Sequence, residues 1–279
     1  MINPQEYVNK AYELGEQIYG SRLIFAAHYG SFNYGLADED SDCDVMLIVM
    51  PSMEEIVRCG IADTTLRCAP EGDIKVIDAR TFIRRLAEAD LNSLQYLYTP
   101  YHKWNLYWDD IFASLRDDEF LWNITMMNPY ELFYNMRGVI GRAYKRMEKV
   151  SEENPFSPSC SKMVYNAMRM IDLADLLSDE IEDDGLGVYN GINLFSWEYG
   201  IHAKGDLMAM KRGLYSYNVA RDRIDRCMSQ IDDYHDVFIN NDTLELIEDG
   251  PVEQRLQRMI EAAIYKLYFE EKSSPQFWS

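Results

Sequence analysis

The sequence predicts an α+β fold, in which strands and helices mix up to about residue 108 and helices alone follow. Residues 23–27 and 45–50 are continuous apolar runs, which are typical of buried strands. Residues 73–77 begin by alternating polar and apolar side chains, as a half-buried strand does. From residue 109 onwards the pattern is helical, so we expect two domains, 1–108 and 109–279.

Helix and turn signals frame the predicted strands of the first domain. Residues 4–19 form an amphipathic pattern that starts with Pro4 and stops before Gly20, which predicts a helix with a glycine C-cap. Residues 61–78 predict a hairpin, because Pro-Glu-Gly at 70–72 is a turn signal between two short runs.

Further elements follow from spacing and composition. Residues 53–58 and 89–98 have helical patterns, whereas the aromatic stretch 101–108 is expected to be irregular. In the second domain we expect helices over 129–150, 160–178, 214–238 and 252–271, with loops at 151–159 and 179–187.

Composition indicates a folded protein with an acidic surface. The chain has 279 residues, of which 47% are hydrophobic, and a formal net charge of −20. Such a charge repels nucleic-acid phosphates at long range, so a long duplex is not expected as a partner. Five scattered cysteines without a Cys-x-x-Cys pair indicate a reducing compartment. No signal peptide or membrane span is visible, so we expect a cytoplasmic protein without a membrane partner.

The most informative stretch is residues 28–50, HYGSFNYGLADEDSDCDVMLIVM. Asp42 and Asp44 run into a predicted strand and, by alternation, point to the same face. Two adjacent carboxylates repel each other unless a cation lies between them, and a hard ion such as Mg²⁺ or Mn²⁺ suits such oxygen ligands. Gly30 and Ser31 follow another predicted strand and are expected to start a short helix, where backbone N–H groups and a hydroxyl suit a phosphate.

The acidic stretch has two other interpretations, a calcium-binding loop and a solvated turn. A calcium-binding EF-hand loop requires Gly at position six and Glu at position twelve. A loop starting at Asp38 has Cys43 and Val49 there, and one starting at Asp40 has Val45 and Pro51, so this interpretation fails in both registers. A solvated acidic turn before a strand remains the alternative to a catalytic motif.

The spacing of Gly30-Ser31 and Asp42-x-Asp44 resembles the signature of the DNA polymerase beta-like nucleotidyltransferase superfamily. The wider stretch is similar to the branch of predicted nucleotidyltransferases that includes polymerase beta-like proteins associated with RNA repair. The resemblance covers residues 22–100 well and the remainder loosely. It implies a core of a mixed sheet with flanking helices, followed by an all-helical domain.

The resemblance also implies a third carboxylate on a later strand. Asp73 is the best match, because its strand side can face Asp42 and Asp44. Asp78 is the rival, although an aspartate directly before an amphipathic helix is more often an N-cap. Lys75 shares a face with Asp73 and is either a phosphate ligand or a surface or ion-pair lysine.

The family chemistry implied for this chain is transfer of a nucleoside monophosphate from an NTP to an acceptor hydroxyl, with release of pyrophosphate. Asp42 and Asp44 would hold two metal ions that bridge the triphosphate. Asp73 would complete the metal site and activate the acceptor hydroxyl. Gly30 and Ser31 would bind the β and γ phosphates.

In the same superfamily a helical domain supplies Lys or Arg to the triphosphate. Lys162 and Arg169 lie in a basic-aromatic helix that resembles one in the RNA-repair-associated branch, which makes them candidate nucleotide ligands. The alternative for each is a solvated helix face that pairs with the many acids of this chain.

The acceptor is left open by the sequence. It is an RNA end or a small molecule in the first hypothesis, and a protein side chain that receives AMP in the second. A third hypothesis, from a different class, is a non-catalytic nucleotide-binding or interaction protein.

Overall fold

The chain forms two compact units in the computed structural model, which describes residues 3–58, 64–69, 72–151, 155–184, 193–239 and 249–270. The first unit consists of Met1–Asn33, Ala37–Met127 and Glu248–Ser279, and the second of Tyr34–Leu36 and Asn128–Ile247. The first unit therefore runs past residue 108 to Met127 and includes the C-terminal part of the chain.

A mixed five-stranded sheet lies in the first unit. Its strands are β1 (Leu23–Tyr29), β2 (Asp44–Val49), β3 (Thr64–Ala69), β4 (Gly72–Asp78) and β5 (His102–Trp104). Their order is β3-β4-β2-β1-β5. The β2–β4 pair is parallel and the other pairs are antiparallel. The predicted α+β class is thus confirmed.

Helices make up most of the remaining described chain. In chain order they are α1 (Pro4–Tyr19), α2 (Met53–Val57), α3 (Ala79–Ala87), α4 (Leu91–Tyr98), α5 (Asp109–Phe112), α6 (Asp118–Thr125), α7 (Pro129–Glu148), α8 (Pro158–Asp184), α9 (Lys204–Lys211), α10 (Tyr217–Asp233), α11 (His235–Ile239) and α12 (Asp249–Tyr265). Among the described helices, none has the length and apolarity needed to cross a membrane.

Several local predictions are confirmed. Helix α1 has Pro4 in its first turn and ends at Gly20, whose φ of +57° suits the glycine cap. Strands β3 and β4 form the predicted antiparallel hairpin. Residues 70 and 71 of its turn lie outside the described residues.

The expectation of an irregular stretch at 101–108 is wrong for its central part. Residues His102–Trp104 form β5, an edge strand that pairs with β1. The pairing is supported by Trp104, whose ring stacks on Phe25 of β1 with centroids 4.1 Å apart. Cross-strand aromatic pairs of this kind stabilise short strands.

The expectation of an acidic loop at 179–187 is wrong for residues 179–184, because α8 continues to Asp184. Ile181 is buried, four residues after the buried Leu177, so the apolar stripe of the helix extends into the acidic segment. Residues 185–187 lie outside the described residues. The helix expected at 214–238 is divided at Tyr234 into α10 and α11.

One face of the sheet packs on α1 and the other carries the polar groups described below. The core between α1 and the sheet contains alternate residues of β2 and β4, including Val45, Leu47, Ile74 and Val76. Cys43 is buried in the same core, as its position between two aspartates predicts. Because strand residues alternate, Asp44, Asp73 and Lys75 lie on the opposite face.

A close backbone contact fixes the start of β4 against the segment that enters β2. Gly72 has a φ of +147°, and a Cβ added to it would lie 2.2 Å from the carbonyl oxygen of Cys43. Tyr7 of α1 donates a hydrogen bond of 2.7 Å to the Gly72 carbonyl oxygen. Only glycine satisfies both the dihedral angle and the available space at this position.

We expect Gly72→Ala to destabilise the protein by about 1–3 kcal/mol, as overpacking does. The methyl group would push β4 away from the Cys43 backbone. Denaturant unfolding measures the loss. Gly141→Ala is the matched control, since a Cβ there meets no atom within 4 Å and the residue lies inside α7. The control should be neutral or stabilising, and equal effects of the two substitutions would contradict the contact.

His28 of β1 gives a second prediction. It is fully buried, and neither ring nitrogen has a hydrogen-bond partner among the described residues. The rings of Phe32 and Tyr101 flank it at 5.6 and 5.9 Å. Burial lowers the pKa of His28 to about 4.

The depressed pKa makes stability depend on pH with a defined sign. Between pH 6.5 and pH 4 the unfolded chain binds a proton that folded His28 does not, so stability decreases as the pH falls through this window. We expect wild type to lose up to about 3 kcal/mol more than His28→Leu between pH 7 and pH 4. Urea unfolding of both proteins at several pH values measures the difference, and parallel pH profiles would contradict the prediction.

Candidate active site

The parallel pairing of β2 and β4 brings two predicted site carboxylates together. In its register Val45 pairs with Ile74, so Asp44 and Asp73 are neighbours at the entry of the two strands. The backbone N–H of Asp73 donates a hydrogen bond of 2.9 Å to Oδ1 of Asp44. This bond orients the Asp44 carboxylate and leaves its Oδ2 without a hydrogen-bond partner in the part of the chain that the structure describes.

Asp42 lies in the exposed loop that enters β2. Burial raises the pKa of Asp44, and the carboxylates of Asp42 and Asp73 raise it further. The Asp73 backbone N–H and the Lys75 ammonium act in the opposite direction. The three predicted carboxylates are therefore electrostatically coupled, with Asp44 at their centre.

Lys75 and Tyr29 complete this face of the sheet. Tyr29 ends β1 and pairs with Asp44 in the antiparallel register of β1 and β2. Lys75 Nζ donates a hydrogen bond of 3.0 Å to the Tyr29 hydroxyl and lies 3.7 Å from Oδ2 of Asp73. The hydrogen bond to Tyr29 raises the pKa of Lys75, so the ammonium group remains charged at neutral pH.

Gly30 and Ser31 lie at the end of β1, as predicted. Gly30 has a φ of +100°, which favours glycine, and a Cβ there would meet no atom within 4 Å. The half-buried Ser31 hydroxyl has no hydrogen-bond partner among the described residues. Backbone N–H groups and this hydroxyl are thus available to an anion.

The short helix expected to start at Gly30-Ser31 is not formed. Residues 31–35 are consecutive turns, bounded by positive φ angles at Gly30 and Gly35. Asn33 is buried here, and its amide donates to the Gln95 carbonyl oxygen at 3.5 Å. Any phosphate bound at this loop would therefore depend on individual N–H groups and not on a helix dipole.

Asp78 lies at the other end of β4 and caps α3. It pairs in register with Val49, five residues and about 16 Å beyond the Asp44–Asp73 pair. Its Oδ1 accepts a 2.7 Å hydrogen bond from the backbone N–H of Arg80, and its Oδ2 pairs with the Arg80 guanidinium at 2.8 Å. Asp73, and not Asp78, is therefore the residue that lies beside the Asp-x-Asp motif.

Lys162 and Arg169 lie on α8 in the second unit. Lys162 is exposed. Arg169 is buried, and its guanidinium stacks on the ring of Tyr34 at 3.0 Å from the centroid. Tyr34 belongs to the same compact unit. The role of Lys162 and Arg169 as ligands of a triphosphate stays a prediction.

The donor chemistry suits a hard divalent cation, although no metal site is preformed. Within the described residues, no group of three or more His, Cys, Asp or Glu side chains is arranged to hold a metal ion. Asp42, Asp44 and Asp73 offer only carboxylate oxygens, which Mg²⁺ and Mn²⁺ prefer. Cys43 between them is not a competing ligand, because burial raises the pKa of its thiol to about 12.

The sequence did not predict the place of Tyr29 in this region or the close contact of Gly72. Tyr29 was missed because the apolar run predicts a strand that ends at Ala27, two residues before the observed end of β1. Gly72 was assigned to a turn, and its contact with Cys43 depends on a segment distant in sequence. Alternation along an extended β1 would have placed Tyr29 on the face of Asp44.

Comparison with known families agrees with these motifs. Residues 5–107 match the model of a family described as RlaP, RNA repair pathway DNA polymerase beta family. No curated protein matches the chain significantly. The family predicted from Gly30-Ser31 and Asp42-x-Asp44 is confirmed. The N-terminal part of the chain is accordingly a domain of the polymerase beta-like kind, which indicates nucleotidyltransferase-type activity.

Proposed function

We propose that the protein is a metal-dependent nucleotidyltransferase that moves a nucleoside monophosphate from an NTP to an acceptor hydroxyl. The observation that carries this proposal is the register of β2 and β4, which puts Asp44 and Asp73 side by side on one sheet face. Asp42 is coupled to them, and the family match over residues 5–107 supports the same chemistry.

The metal ions would be held by Asp42, Asp44 and Asp73. When bound, they neutralise the charge that develops on the triphosphate and lower the pKa of the acceptor hydroxyl. Asp44 is already oriented by the N–H of Asp73, and Asp42 lies in the exposed loop that enters β2. Relief of the repulsion between these carboxylates favours binding of the cation.

The remaining groups of the site position the substrates. Gly30 and Ser31 would bind phosphate oxygens through backbone N–H groups and the free hydroxyl. Asp73 would accept the proton of the attacking hydroxyl. The new bond joins the acceptor oxygen to the α-phosphorus, the bond from that phosphorus to the bridging oxygen breaks, and pyrophosphate leaves with the electron pair.

For the acceptor we propose an RNA end, on the strength of the matched family description. A net charge of −20 disfavours a long duplex but leaves a short or single-stranded end possible. A small-molecule hydroxyl and a protein side chain are the other acceptors compatible with the same chemistry.

Labelled substrate separates these acceptors. The purified protein is incubated with each α-³²P-labelled NTP, Mg²⁺ or Mn²⁺, and cell extract, and the RNA, protein and small-molecule fractions are then counted. Label in RNA that is removed by ribonuclease supports the proposal. Label in protein supports an AMPylating transferase, and absence of metal-dependent label in every fraction supports a non-catalytic nucleotide-binding protein.

We expect Asp44→Asn and Asp73→Asn to lower transfer by at least about 100-fold, because each removes a charge from the metal and acceptor site. The folds should persist, since Asn is isosteric and its oxygen at position 44 can still accept the Asp73 N–H. Without metal, Asp44→Asn should unfold at an equal or higher temperature than wild type, because a repelled carboxylate is removed.

Asp78→Asn is the matched control for these two variants. Asn retains the helix cap, so transfer should be nearly unchanged. Loss of the ion pair between the buried Asp78 and the partly exposed Arg80 should lower thermal stability. Full activity in Asp44→Asn would contradict the mechanism, and loss of transfer only in Asp78→Asn would move the third carboxylate to that residue.

We also expect at least one of Lys162→Ala and Arg169→Ala to weaken NTP binding by about tenfold, as loss of a charge-assisted hydrogen bond does. The loss should decrease at high salt. Arg169→Ala should also reduce stability, because it removes the stacking on Tyr34. If neither variant changes NTP affinity, α8 does not contribute to the nucleotide site.

A further inference from the structure

Among the described residues, Lys75 is the cation that forms an ion pair with one of the proposed metal ligands, Asp73. It projects from β4 on the same face as Asp73, and it interacts electrostatically with both Asp44 and Asp73. Its ammonium group offsets part of the negative charge of this face.

Lys75 makes a shorter contact with the hydroxyl of Tyr29 than with the carboxylate of Asp73. Its Nζ lies 3.7 Å from Oδ2 of Asp73, longer than the 2.7–2.9 Å typical of a charge-assisted hydrogen bond. It donates instead at 3.0 Å to the neutral hydroxyl of Tyr29. Tyr29 is held in turn by Tyr96, whose ring lies edge-on at 5.4 Å between centroids.

The side chains of Lys75 and Asp73 are open to solvent, so their contacts can rearrange when a ligand binds. The side chains of Lys75 and Asp73 are 38% and 37% exposed, so an ion or a phosphate can approach both. The Tyr29 hydroxyl keeps the ammonium beside the carboxylates, and the salt bridge to Asp73 is long, at 3.7 Å.

We propose that Lys75 is a built-in counter-ion that opposes metal binding at Asp44 and Asp73 and, once metal is bound, binds the phosphate oxygens of the nucleotide. This inference rests on the proposed function. It gives Lys75, which lies outside the Gly-Ser and Asp-x-Asp motif, a role in binding the metal ion and the nucleotide. It links metal and nucleotide binding, because one positive charge repels the first ligand and attracts the second.

By Coulomb's law, the charge of Lys75 has opposite effects on metal binding and on nucleotide binding. A positive charge within a few ångströms of a divalent ion must weaken metal binding, and the same charge must strengthen binding of a polyanion. Loss of a lysine that lies away from the bound ion and the phosphates would change stability without producing this opposite pair of effects.

The test uses the full chain with Lys75→Met, which removes the charge and retains most of the side-chain volume. Mn²⁺ binding is measured by calorimetry without nucleotide. Binding of the α,β-methylene analogues of the four NTPs is then measured at saturating Mn²⁺. We expect Mn²⁺ to bind at least about threefold more tightly and the best-bound analogue about tenfold more weakly than in wild type.

Two further variants act as controls. Lys103→Met removes an equal charge from β5, where Lys103 lies over the ring of Tyr12 at 4.4 Å, so it reports the effect of net charge alone. Tyr29→Phe removes the hydroxyl that holds Nζ but keeps the ammonium, which is then free to approach Asp73. Mn²⁺ should bind to Tyr29→Phe no more tightly than to wild type.

The inference is overturned if Lys75→Met leaves Mn²⁺ affinity unchanged or weaker, if it fails to weaken analogue binding, or if Lys103→Met has the same effects. Asp44→Asn separates this outcome from failure of the proposed function. If Asp44→Asn abolishes Mn²⁺ binding while Lys75→Met changes nothing, only the role of Lys75 is wrong. If Asp44→Asn binds Mn²⁺ as wild type does, the proposed metal site itself is wrong.

Discussion

The candidate site depends on one constraint, the close approach of the start of β4 to the backbone that enters β2. Gly72 leaves no room for a side chain above Cys43, and this contact places the Asp73 N–H against the carboxylate of Asp44. A larger separation would break the hydrogen bond and separate the two acids. Tyr7 of α1 secures the same point from the other side of the sheet, so helix packing and site geometry are coupled through one glycine carbonyl.

The electrostatics of the site follow from this geometry. The parallel register places the carboxylates of Asp44 and Asp73 side by side, where they repel each other. A cation bound between them would relieve this repulsion. Burial raises the pKa of Asp44 and the carboxylates of Asp42 and Asp73 raise it further, while Lys75, hydrogen-bonded to Tyr29, acts in the opposite direction. Because the whole chain is strongly acidic, a local lysine has a larger effect on the charge of this face than it would on a neutral protein.

Part of this arrangement was predictable from the sequence, since alternation along the strand places Asp44 on the face opposite the buried Cys43 and Val45. That Asp42 shares the face of Asp44 stays a prediction, because β2 begins at Asp44 and Asp42 lies in the loop before it. The parallel pairing of β2 with β4 was not predictable, because a strand pattern specifies which face is buried but not which strand lies beside it. Strand β5 was missed because three aromatic and basic residues show no period. The full length of α8 was missed because its acidic composition masks the buried Ile181.

The central proposal is that Asp42, Asp44 and Asp73 would hold divalent ions, which would neutralise the charge of an NTP. The most direct test is anomalous diffraction from crystals grown with Mn²⁺ and the tightest-bound α,β-methylene NTP analogue. The account predicts anomalous peaks within coordination distance of these three carboxylates, with the triphosphate against Gly30 and Ser31. Mn²⁺ bound elsewhere, or a triphosphate bound without metal at this face of the sheet, would contradict it.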